Sequence, residues 1–64
     1  MNDSLLELLQ ISYEKNFQVN VEISDDKTNN IDLDTEKKQI EVHIGDPEDK
    51  NLPGLFEDIL SKLK

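Results

Sequence analysis

Cysteine, tryptophan, alanine and arginine are all missing from this 64-residue chain. Each absence excludes something. Without cysteine there is no disulfide framework and no thiolate metal site. Without arginine, seven lysines face 15 acidic residues and the net charge is −8. Such a balance argues against direct nucleic-acid binding, which rests on cationic contacts to phosphate. No apolar run approaches the ~18 residues of a membrane span. No charged segment leads into a short apolar one, as a secretory signal would require. The expectation is a cytoplasmic chain with no membrane partner.

Glycine is scarce as well, at positions 45 and 54 only, so there is no glycine-rich phosphate loop. Ser4, Ser12, Ser24 and Ser61 lie outside any strand-turn-helix elbow, and no cysteine is present to act as a nucleophile. A calcium loop starting at Asp25 would end suitably on Glu36. It fails at its third position, which is Lys27, and at its tight-turn glycine, which is Asn30. His43 is the single histidine, with no second histidine or cysteine to complete a metal site. Neither catalysis nor a metal or cofactor is expected.

What is present is periodic. Residues 4–15 read as a helix. Ser4 and Glu7 fit a capping box, Leu5, Leu6, Leu9 and Tyr13 share a face at helical spacing, and Asn16 is a left-handed stop. Residues 17–23 alternate as a strand, with Phe17, Val19, Val21 and Ile23 on one side and Gln18, Asn20 and Glu22 on the other. Ser24 to Asn30 is a polar loop. Ile31 and Leu33 begin a second alternation, and Asp34 to Lys38 turn the chain. Gln39 to Ile44 alternate again, with Ile40, Val42 and Ile44 inward, and Gly45-Asp46-Pro47 ends that strand. Leu52, Leu55, Phe56, Ile59, Leu60 and Leu63 trace an amphipathic helix, with Asn51 as cap and Pro53 in its first turn.

The predicted fold is a single small α+β domain over residues 1–64, ordered αβββα. Short loops imply a three-stranded antiparallel meander with two helices packed on one face. A core of this size supplies roughly 3–5 kcal/mol, so a homodimer is a natural way to add buried area.

Following the meander up, down and up brings the loops Ser24–Asn30 and Gly45–Asn51 to one end. Asp3, Glu7, Asp25, Asp26, Asp46, Glu48, Asp49, Glu57 and Asp58 gather there, and Lys15, Lys37, Lys38, Lys62 and Lys64 gather at the other end. Plain solvation is one reading of this acidic pole. The other is docking, since focused negative potential speeds encounter with a positive patch and rejects wrong partners. On that reading Asp25, Asp26, Asp46, Glu48 and Asp49 bind a larger protein with a basic surface and inhibit or modulate it. Small inhibitors of phages and mobile elements act in this style, against nucleic-acid-handling or host-defence proteins, and one form is nucleic-acid mimicry with carboxylates in place of phosphates. Two other surfaces are candidates: the polar sheet face and the free sheet edges. The alternative function is a self-associating assembly subunit. It would use a sheet edge and the apolar pair Leu8 and Ile11, which lies off the main stripe of the first helix.

Overall fold

The computed structural model describes residues 3–64 and the side chains from Ser4 onward. Helix α1 spans Asp3–Glu14, strands β1, β2 and β3 span Gln18–Ile23, Asn29–Asp34 and Gln39–Ile44, and helix α2 spans Leu52–Leu63. The class is α+β and the element order is the expected one.

The expected antiparallel meander does not form. The sheet order is β1-β3-β2, with β3 parallel to β1 and antiparallel to β2. Gln18 lies opposite Gln39 and Ile23 opposite Ile44 in the parallel pair, and Asn29 lies opposite Ile44 in the antiparallel one. Composition explains the choice of centre. Ile40, Val42 and Ile44 are all β-branched and all buried, whereas β2 carries Asn29, Asn30, Asp32 and Asp34, residues suited to an edge. The connection from β1 to β2 then has to pass over the end of β3. Five residues, 24–28, reach across two strand spacings of about 4.8 Å each. Strand directions are still up, down and up, so the loops after β1 and after β3 share one end as expected.

That crossing is tightly tied. Asp26 Oδ1 accepts hydrogen bonds from the Thr28 amide at 3.0 Å and the Thr28 hydroxyl at 2.9 Å, an Asx turn. Lys27 takes a positive φ of 66° at the apex. The Lys27 amide donates to the Gly45 carbonyl at 3.2 Å, and the Gly45 amide returns to Thr28 O at 2.6 Å. A Cβ on Gly45 would meet the Thr28 carbonyl at 2.5 Å, its nitrogen at 2.7 Å and the Asp26 carboxylate. The glycine that ends β3 is therefore the position over which the loop passes.

Helix α1 closes as expected at Asn16, whose φ is 63°. Phe17 N donates to Ser12 O at 2.8 Å and Asn16 N to Tyr13 O at 3.2 Å, the paired bonds of a Schellman motif. The predicted capping box is absent. Ser4 lies inside the helix and its hydroxyl reaches Glu57 on α2 at 3.5 Å, while Glu7 accepts from Lys64 at 3.1 Å. Asn51 occupies the N-cap of α2, but its side chain makes no cap bond there.

The buried cluster joins Leu8 of α1, Ile40, Val42 and Ile44 of β3, and Leu52, Phe56, Ile59, Leu60 and Leu63 of α2. Ser12 is buried with them and donates to Leu8 O at 2.6 Å, a back-bond to the preceding turn that satisfies its hydroxyl. The phase of α1 differs from expectation. Leu8, Ser12 and the half-buried Leu5 and Ile11 face the core, while Leu6, Leu9 and Tyr13 of the predicted stripe are exposed at 59%, 40% and 85%. Burying Ser12 brings Leu8 inward and rotates the other apolar stripe out. Leu8 is therefore a core residue with no surface to offer a second copy, and Ile11 packs against the same core.

Candidate docking surface

The sheet face away from the helices is polar in every row. The top row reads Glu22, His43, Asn30, the middle row Asn20, Glu41, Asp32, and the bottom row Gln18, Gln39, Asp34. A concavity of about 540 Å³ opens on this face, bordered by Asn20, Glu22, Asp26, Asp32, Glu41 and His43.

His43 organises the top row. Its Nδ1 lies 3.0 Å from Glu22 Oε1 on β1, and its Nε2 lies 2.9 Å from Asp26 Oδ2 in the crossing loop. Carboxylate oxygens only accept, so both contacts are satisfied together by the doubly protonated ring. The hydrogen bond to Glu22, then that to Asp26, raises the imidazole pKa above its usual 6.5. The same contact, with help from Thr28, lowers the Asp26 pKa to about 2. One imidazole thus serves two carboxylates at this end of the face.

The middle row differs. Asp32 and Glu41 are exposed and stand directly opposite each other on neighbouring strands. Like charges so placed repel by a few tenths of a kcal/mol. Among the described residues no cation pairs with either; the ion pairs there are His43 with Glu22 and Asp26, Lys62 with Asp58, and Lys64 with Glu7.

The acidic loops lie at the upper end of the sheet, where Asp26 alone of their acids borders the concavity, and they divide into two sets. Asp26 caps the crossing loop. Asp46 Oδ1 accepts from the Glu48 amide at 3.3 Å. Asp49 accepts from the Asn51 amide at 3.0 Å through Oδ1 and from Asn29 Nδ2 at 3.2 Å through Oδ2. These three carboxylates hold the chain in place. Asp25 and Glu48 are exposed, and among the described residues their side chains make no hydrogen bond or ion pair. Glu7, Glu57 and Asp58 are drawn instead into contacts with Lys64, Ser4 and Lys62. The side chain of Asp3 lies outside the described residues. Lys27 and Lys50 also sit in the two upper loops. The separation of charge is thus weaker than the up-down-up argument implies.

Asn29 is the residue that sequence reasoning passed over. Its amide nitrogen donates to Asp46 O at 2.9 Å, and its Oδ1 accepts from the Gly45 and Asp46 amides at 3.0 Å each. It ties β2 to the start of the final loop. The signal was a polar residue at the end of a loop, which does not distinguish it from its neighbour Asn30.

No described helix is long and apolar enough to cross a membrane. The described residues include no group of three or more histidine, cysteine or acidic side chains placed to hold a metal ion. The chain matches no protein-family model, no curated protein and no solved structure.

Proposed function

We propose that this chain is a small acidic binding module that docks on the basic surface of a larger protein and inhibits or modulates it. The observation that carries this reading is the unneutralised pair Asp32 and Glu41 in the middle of an open concave sheet face. A lysine or arginine of a partner entering the concavity would relieve their repulsion and gain charge-assisted hydrogen bonds. Asp25 and Glu48, in the loops at the upper end of the sheet, are further exposed acids whose side chains bond nothing among the described residues. The docking set therefore shifts from the five loop acids toward Asp25, Asp32, Glu41 and Glu48, because Asp26, Asp46 and Asp49 serve the fold.

The test compares the wild type with the variant Asp25→Asn, Asp32→Asn, Glu41→Gln, Glu48→Gln. Each chain is immobilised and used to capture proteins from a lysate of the cells that make it, at low and at high salt. A partner retained by the wild type at low salt, released at high salt and not retained by a still-folded variant supports docking. Equal retention by both chains, or capture of nothing at low salt, overturns it.

A further inference from the structure

The flank of the molecule where α1 lies over β1 is unlike the rest. Leu6, Leu9 and Tyr13 are exposed along the helix, and Val21 and Ile23 are exposed at 46% and 70% on the helix side of the edge strand. At those exposures the five side chains present on the order of 500 Å² of surface, at the upper range of the largest patch on an ordinary monomer. The arc of α1 that carries them, from Leu5 through Leu9, Tyr13 and Leu6 to Gln10, holds no charge, in a chain of net charge −8. The opposite flank of the helix meets α2 through Ser4 and Glu7. The stripe therefore faces away from α2, over the free edge of β1.

The strand adds a second, independent feature. The amides of Gln18 and Ser24 point to β3, bonding Lys38 O and Ile44 O at 2.9 Å each. By alternation the N–H and C=O groups of Val19, Val21 and Ile23 point away from the sheet along an unpaired edge. The other outer strand, β2, carries two aspartates, and such an edge resists pairing with itself.

We infer that the β1 edge and the Leu6, Leu9 and Tyr13 stripe form one self-complementary interface, and that its occupant is a second copy of this chain. A two-fold axis through Asn20 pairs the two β1 strands antiparallel. Val19 then exchanges both backbone bonds with the partner's Val21. Gln18 faces the partner's Glu22, so no like charges meet across the join. Phe17 faces the partner's Ile23 beside a hollow of about 550 Å³ bordered by Tyr13, Glu14, Phe17 and Gln18, which gives that side chain a seat. The same axis sets the two α1 helices side by side with their uncharged arcs facing. A standard interface takes about 800 Å² from each partner, near a sixth of the 4641 Å² surface here. The apolar patch with the strand edge meets most of that. The product is one six-stranded sheet, helices on one face and both acidic concavities on the other.

The test uses the absence of cysteine. Asn20→Cys places a single thiol at the axis, where opposed Cα atoms of a non-hydrogen-bonded antiparallel pair lie about 4.5 Å apart, within disulfide reach. Asn30→Cys on β2 is the control. Mild oxidation is expected to link Asn20→Cys chains into covalent dimers and leave Asn30→Cys chains single; equal or greater linkage of the control overturns the inference. Sedimentation of the wild type from about 10 µM to about 1 mM is expected to show a mass rising to twice 7.4 kDa, and more steeply at high salt, which screens the charge of the two copies. Val21→Pro removes an outward N–H without touching the bonds to β3 and is expected to weaken dimerisation at least ~100-fold; Leu6→Lys with Tyr13→Lys, on exposed positions, at least ~10-fold. A monomeric wild type throughout that range, or a dimer unaffected by both variants, overturns the inference.

Discussion

The upper junction and the α1–β1 flank differ in how their groups are matched. At the junction, Gly45, Asp26, Thr28 and Asn29 leave no room for one added carbon, and hydrogen bonds tie the crossing loop and β2 to the end of β3. On the flank, apolar side chains meet water and a row of backbone groups points outward. Together they teach that the chain places its tightest matching where the topology is unusual. The flank contributes little to the fold of a single copy, so its apolar character needs another explanation.

The largest expected effect tests the junction. Gly45→Ala drives a Cβ into the Thr28 backbone, which cannot yield as a side chain would. It should cost about 3 kcal/mol, most of what a core this small supplies, and urea unfolding would show the midpoint collapse. Asn29→Ala comes next. It strands the Asp46 amide, takes one of two acceptors from the Gly45 amide and removes the bonds of Nδ2 to Asp46 O and Asp49, for a loss of about 2 kcal/mol by the same melt. A loss under half that would show that water replaces the side chain there.

The third effect is smaller, because His43 and Asp26 are screened by solvent. The pKa of His43 is raised on folding, so its contribution is complete below 6.5 and is lost as pH rises through the higher folded value. The pKa of Asp26 is lowered, so its contribution is complete above 3.8 and is lost as pH falls toward about 2. Thermal midpoints should therefore peak between those limits and decline on both sides. A His43→Gln chain should show no decline on the alkaline side attributable to this ring; an unchanged profile would mean the ring contributes nothing.

Two milder substitutions sharpen the contrast. Nothing lies within 4 Å of a Cβ built on Gly54 in α2, so Gly54→Ala should stabilise the chain by about 0.5–1 kcal/mol, the opposite sign to the same change at position 45. Tyr13→Lys on the flank should move the stability of the single chain by less than about 0.5 kcal/mol, read at a concentration where only monomer is present.

Much of this architecture is legible in the residues. Alternation places all three strands and puts Gln18, Asn20, Glu22, Glu41 and His43 on one face. Asn16 ends α1 and Pro53 opens α2, both by rules of local geometry. Strand order is not local. Four apolar residues from Phe17 to Ile23 look as buried as the three of β3, and only the helices' positions decide which are covered. Gly45 was the available clue, since glycine closing a strand marks close backbone approach. The phase of α1 was ambiguous because two apolar stripes overlap at Leu5, and a serine on the buried one disguises it. Among the acids, side-chain bonding separates Asp26, Asp46 and Asp49 from Asp25 and Glu48. The Asx-turn spacing of Asp26 to Thr28 and of Asp49 to Asn51 was the signal that could have found the first group.

The crossing connection also dictates when the sheet can exist. β1 and β2 are made first and have no bonds to each other, because the strand that lies between them is made last. Until β3 is available the first half of the chain has no strand partner in this sheet, and only α1 for cover until α2 packs down. The sheet can close only around its middle strand, with each residue of β1 paired to one 21 positions further along. A chain cut short of Gln39 would hold two strands with no partner for either, so this sheet has no stable part smaller than the whole.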